Sequence, residues 1–214
     1  MSIKPVELLS KKIPEIVNAA FAEMKANGDA GDADAKQRYA DLPSYTGAAH
    51  IVLEGKGGAD LYLVSEGTSF RADAKPPTVP VLIAIAVSNE AFELGLEELE
   101  DDVEAALGRL RKRLVRLAPK RLHALLTKIA DEKLSFHLVI KDTPDFDEVR
   151  IKIATGSATP PEKPTFTVSI DYDTLEALRE RKIKPQAIMS KLQMSGDSSR
   201  AMQFAMNLMQ RRGA

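Results

Sequence analysis

Alternating apolar and polar positions predict three strands in the first hundred residues, at His50 to Leu53, Leu61 to Val64 and Val81 to Val87. The first two are joined through Gly55, Gly57, Gly58 and Asp60, which read as a hairpin turn. These glycines fit neither the Walker pattern nor the dinucleotide fingerprint. Ahead of the strands, Val6 to Met24 carries Leu8, Leu9, Ile13, Ile16, Val17 and Ala20 at helical spacing, and Asn27 and Gly28 end that helix. Gly28 to Tyr45 is small, polar and charged, so a loop or a marginal helix is expected there. After the third strand, Ser88 is an N-cap for a helix over Asn89 to Leu99, with acidic residues in its first turn.

The second half repeats that order. A helix running to about Ala130 precedes strands at Leu134 to Ile140, Glu148 to Ile153 and Thr165 to Ile170, and Asp173 is expected to cap a helix through Arg179. Pro76 and Pro77 precede one strand and cap, and Pro160 and Pro161 precede the other. Ile83, Ile85, Val87 and Phe92 match Phe166, Val168, Ile170 and Leu175 in spacing. The pattern reads as a degenerate duplication of a helix, three strands and a helix, with a truncated half in residues 1–100 and a complete one in 101–214. The halves pack as one unit or stand as two. The second half alone continues, through Lys184 to Ser190, a short strand Lys191 to Met194, a turn at Gly196 and Asp197, and a closing helix.

That closing segment holds Met189, Met194, Met202, Met206 and Met209 of the chain's seven methionines. From Ser198 to Arg211 the polar Gln203, Asn207 and Gln210 share one narrow face, leaving Ala201, Met202, Phe204, Ala205, Met206, Leu208 and Met209 to cover the rest. Ordinary core packing accounts for such a helix. A pocket accounts for it too, because methionine is unbranched and polarizable and fits guests of varied shape.

Charge changes the picture locally. The net charge of −1 conceals an acidic run from Glu90 to Glu104 without a basic residue and a basic run from Arg109 to Lys128 without an acidic one. Arg109, Lys112, Arg113, Arg116 and Lys120 fall along one helical face, opposite Leu107, Leu110, Leu114 and Leu117. Acid early and base late complement a helix dipole, so a solvated helix face explains part of this. The other reading is contact with an anionic membrane surface, a phosphate headgroup or an acyl-carrier partner. Nucleic acid is not expected, since no tryptophan is present and no aromatic residues interleave with the basic ones.

The 214 residues can bury a full core. The absence of cysteine excludes disulfides, a thiolate zinc site and a cysteine nucleophile, and fits a reducing compartment. Met1 to Leu9 lacks a basic region followed by an apolar stretch, and the longest apolar run, Val81 to Val87, is too short for a bilayer. A soluble, cytoplasmic protein is expected, not an integral membrane protein. His50, His123 and His137 are scattered and read as exposed or hydrogen-bonded residues at strand or helix edges, so no metal site is expected. Asp171 and Asp173 are accounted for by helix capping. Ser88, Ser169 and Ser195 sit in strands or turns rather than a nucleophile elbow. No catalytic constellation and no cofactor site emerges, and a non-enzymatic protein is expected.

The run Ile183, Lys184, Pro185, Gln186, Ala187, Ile188 and Met189, then Lys191 to Asp197, then Ala201, Met202 and Phe204, resembles the end of the sterol carrier protein 2 family. There a proline-led short helix precedes a lysine-started strand, a glycine turn and a terminal lid helix. Phe166 to Leu178 resembles the family as well, and the likeness is clearest over residues 103–214. The chain departs from it at Arg181 and Ser190, where the family usually has glycine, and in the proline-rich segment from Ile153 to Thr165. The resemblance implies an α+β fold whose helices lie over one face of a twisted sheet and enclose an apolar tunnel. It implies binding and transfer of lipid: fatty acid, fatty acyl-CoA, sterol-like molecule or phospholipid. Ile170, Leu175, Leu178, Ile188, Met189, Leu192, Met194, Met202, Phe204, Ala205, Met206 and Met209 are then the candidate lipid-binding residues. The alternative is a structural or interaction module with a collapsed pocket, docking a partner through the charged helix 97–129.

Overall fold

The structure is a computed structural model and describes residues 3–97, 103–160, 162–180, 182, 183, 187 and 190–203. The chain starts with a helical segment in three pieces: α1 (Pro5–Glu7), a π turn (Leu8–Lys12) and α2 (Ile13–Asp29). Pro14 supplies the reason for the π turn. It has no N–H to reach Ser10 and its ring crowds that carbonyl, so the helix widens just before it. The segment from Gly28 to Tyr45 is mostly helical: α3 (Ala33–Asp41) starts where the Asp32 carboxylate accepts from the Ala35 N–H at 2.9 Å, and a 3₁₀ turn (Leu42–Ser44) follows.

Strands β1 (Thr46–Glu54), β2 (Ala59–Glu66), β3 (Ser69–Asp73) and β4 (Val81–Ser88) come next, then α4 (Asn89–Glu97). The Ser88 hydroxyl caps α4, accepting from the Ala91 N–H at 3.0 Å. The second half comprises α5 (Val103–Arg116), α6 (Pro119–Asp131), β5 (Ser135–Lys141), β6 (Glu148–Thr155), β7 (Phe166–Asp171), α7 (Tyr172–Arg179) and β8 (Gln193–Gly196). Asp171, not Asp173, holds the N-cap position of α7, and its side chain makes no capping bond there. The last strand lies two residues later than the sequence pattern placed it. Asp197 then caps the helix over 198–203, its carboxylate accepting from the Arg200 N–H at 3.0 Å.

The eight strands among the described residues form one sheet in the order β3-β2-β1-β4-β6-β5-β7-β8. Pairing recurs between the halves. β1 is antiparallel to β2 and parallel to β4, and β5 is antiparallel to β6 and parallel to β7. The registers coincide as well: Ala49, Ile51, Leu53 and Glu54 stand beside Ile83, Ile85, Val87 and Ser88, while Phe136, Leu138, Ile140 and Lys141 stand beside Phe166, Val168, Ile170 and Asp171. On the far side of β7 lies β8, antiparallel; on the far side of β4 lies β6, also antiparallel. The second half therefore fills the edge that the shorter first half would leave unpaired.

Side chains alternate across the sheet, so opposite residues share a face. One row runs Leu61, Ile51, Ile85, Ile153, Phe136 and Phe166, through six strands, and the Phe136 and Phe166 rings stack with centroids 5.2 Å apart. Helices cover this apolar face: Val6 and Leu9 at the chain start and Phe92 of α4 pack with Leu53, Leu61 and Val87. Elsewhere α2 and α5 enclose Phe70 with Phe21, Met24 and Leu42.

The opposite face is mixed: Ala48, Tyr62 and Val64 form an apolar cluster there with Val79 and Val81, and buried polar residues lie beside it. His50 and His137 lie on it at corresponding positions of β1 and β5, both buried in inner strands rather than at an edge. His50 stacks on Tyr62 with centroids 4.2 Å apart, its Nδ1 donates to the Ala158 carbonyl, and its Nε2 meets Asp60 at 2.5 Å. Lys152 on the same face reaches Glu54 at 3.0 Å and Glu162 at 2.9 Å, holding the 156–165 loop against the sheet.

Candidate functional site: an apolar cavity between two helices

The site follows from strand order. Helix α4 leaves β4 and α7 leaves β7, with β6 and β5 between them. At a spacing of about 4.8 Å, β4 and β7 are about 14 Å apart. Packed helices sit about 8–10 Å apart. The two helices therefore cannot close over β5 and β6, and a cavity of about 390 Å³ lies in the gap.

Its walls are apolar. Ala91, Leu94 and Gly95 come from α4, and Leu175 and Leu178 from α7. Ile140 and Val149, directly opposite each other in β5 and β6, form the floor, with Pro144 and Phe146 of the intervening turn at one end. That turn is held in shape: the Thr143 hydroxyl donates to the Phe146 carbonyl at 2.5 Å, the Asp142 N–H donates to Asp147 at 3.0 Å, and Asp142 takes a left-handed conformation that aspartate tolerates. Thr143, Asp145, Tyr172 and Glu176 are the polar residues of the described lining. Gly95 is an exposed residue of this lining, and a Cβ added there would meet nothing within 4 Å.

The first half shows what fills the equivalent space. Leu53 and Ala59 pair there as Ile140 and Val149 do here, but Val6, Leu9 and Phe92 lie over them. Among the described residues, no segment takes that place in the second half.

Of the residues anticipated for lipid binding, Leu175 and Leu178 line the cavity. Ile170 is buried beside it, paired with the floor residue Ile140. Leu192 and Met194 are half-buried, with Met194 opposite Val168 on the apolar face at the far edge of the sheet. Met202 is 48 % exposed and does not belong to the described lining, whereas its neighbour Ala201 is buried. Ile188, Met189, Phe204, Ala205, Met206 and Met209 lie outside the described residues. Sequence reasoning missed Ala91, Leu94, Gly95, Ile140, Pro144, Phe146, Val149 and Tyr172. The floor pair alone left a signal, in the alternation of β5 and β6.

The basic stripe is not one helix. Helix α5 ends at Arg116 and α6 starts at Pro119, after Ala118 takes an extended conformation, as the residue before a proline tends to do. Arg109, Lys112, Arg113 and Arg116 are exposed on α5, whose Leu107 and Val115 are buried. Lys120 stands on α6 and is engaged, its Nζ 2.8 Å from Asp41. Arg111, which the stripe did not include, binds Glu23 at 2.7 Å.

Among the described residues no helix is long and apolar enough to cross a membrane. A search of curated proteins and a search of solved structures each returned no match. A model of the SCP-2 sterol transfer family matches residues 99–209, slightly more than half of the chain and the part that contributes β5, β6 and α7 to the cavity. The chain belongs to the SCP-2 sterol transfer family.

Proposed function

We propose that this protein binds a lipid in the cavity between α4 and α7 and transfers it, without catalysing a reaction on it. The observation that carries this reading is the apolar gap over Ile140 and Val149, continuous with the apolar rows of the sheet, in a chain of a lipid-transfer family. Each methylene of an acyl chain moved there from water contributes about 0.8 kcal/mol, so binding needs few polar contacts and is broad in specificity. Fatty acid, fatty acyl-CoA, sterol-like molecules and phospholipid all belong to the ligand class.

The first half serves as a structural half, the remnant of a duplication, whose α4 forms one wall and whose β4 carries the second half's sheet. The coincident strand registers support this. Arg109, Lys112, Arg113 and Arg116 give the protein a cationic face for an anionic membrane surface or an acyl-carrier partner. Lys120 contributes less there, because Asp41 holds it.

The test is Gly95→Leu. The new side chain meets no existing atom and, standing in the cavity lining, is expected to obstruct it, and replacing a helical glycine adds roughly 0.5–1 kcal/mol of stability. Uptake of a fluorescent fatty acid falls while the unfolding midpoint rises. Unchanged uptake overturns the site, and absence of uptake in the unsubstituted protein favours a structural module instead.

A further inference from the structure

A second apolar pocket, of about 250 Å³, lies under α2, α5 and α6 on the apolar face of β2 and β3, away from the α4–α7 gap in the fold. Met24, Phe70, Leu114 and Leu122 are among its walls, and the described lining contains no charged side chain. Its polar residues are Ser65 and Tyr45. Ser65 is 2 % exposed, and its hydroxyl has no hydrogen-bond partner among the described residues. A buried hydroxyl without a partner is a net cost to folding that alanine would avoid. An empty apolar cavity of about 150 Å³ already takes benzene, so this one has room for a larger guest.

We propose that this space is a second binding site, selective for a compact, neutral, hydrophobic alcohol or phenol whose hydroxyl pairs with Ser65 Oγ. The uncharged lining rejects a carboxylate, which would lose its hydration without gaining a cation. A pure hydrocarbon enters but leaves Ser65 unpaired. The proposal does not rest on the lipid-transfer reading, since it uses none of the α4–α7 cavity's residues.

The experiment uses the full chain carrying Gly95→Leu, chosen to obstruct the α4–α7 cavity, and titrates octanol, octanoate and octane while following the ring resonances of Tyr45 and Phe70. Octanol is expected to shift both rings saturably, and octanoate is expected to shift neither. Adding Ser65→Ala should weaken octanol about three- to tenfold and leave octane unchanged, the loss of one neutral hydrogen bond. Because Ser65→Ala removes a single unpaired hydroxyl, the protein stays folded, which its unfolding midpoint verifies. Octanol affinity unaltered by Ser65→Ala, octanoate binding as well as octanol, or no shift at Tyr45 and Phe70 would each overturn the proposal.

Discussion

Ile85 of β4 and Ile153 of β6 stand directly opposite each other, and their antiparallel pairing joins the two halves of the sheet. Everything that one half supplies to the other depends on this seam: β6 covers the free edge of β4, and α4, carried by β4, reaches the wall of a cavity floored by β5 and β6. Ile85→Ala should cost about 2 kcal/mol, the lower range for losing a large aliphatic side chain at a half-buried position. Residues 1–100 alone expose the β4 edge and an apolar face, and should aggregate. Urea unfolding of the variant and sedimentation of the fragment check these expectations. A soluble, cooperatively folding monomer from 1–100 would contradict the seam's role.

The ion pair between Asp41 and Lys120 gives the fold an acid-sensitive tie between α3 and α6. The hydrogen bond from Lys120 holds the Asp41 carboxyl below its ordinary value of 3.8, a second bond from Gln37 adds to this, and burial opposes it. A depressed carboxyl contributes stability that is present above the ordinary value and is lost as pH falls through the lower folded one. Between pH 5 and the acid limit the intact protein should lose unfolding midpoint more steeply than Lys120→Gln. Parallel pH profiles of the two proteins would remove this tie from the account.

The exposed residues Arg109, Lys112, Arg113 and Arg116 should bind anionic vesicles weakly and reversibly, each contributing about 1 kcal/mol near the surface. Replacing all four with glutamine should abolish sedimentation with anionic vesicles. Lys120→Gln should change it little, because Asp41 already engages that lysine. High salt should act like the fourfold replacement. Equal binding to neutral and anionic vesicles would leave α5 a structural element alone.

Much of the fold was legible because it is written locally. The alternation of Ile83, Ile85 and Val87 and of Phe166, Val168 and Ile170 marks the inner strands, and their equal spacing anticipates equal registers. Strand β3 escaped because Phe70 is its only large apolar residue; the ion pair from its Arg71 to Glu66 of β2, at 2.8 Å, helps hold it at the edge. The basic run read as one helix because its charges keep helical spacing across Ala118 and Pro119, although that proline marks the start of α6. The cavity was half legible. Leu175 and Leu178 lie in the family-like segment, but Ala91, Leu94 and Gly95 come from the other half. What makes them walls is the two strands inserted between β4 and β7, a long-range fact that no local pattern carries.

Mass spectrometry of lipid extracted from the purified 214-residue chain, beside Gly95→Leu prepared in the same way, tests the central claim most directly. The account predicts lipid of acyl or sterol-like character carried by the unsubstituted protein and largely lost from Gly95→Leu, with both proteins folded. Equal lipid content in the two, or none in either even after incubation with lipid vesicles, would contradict it.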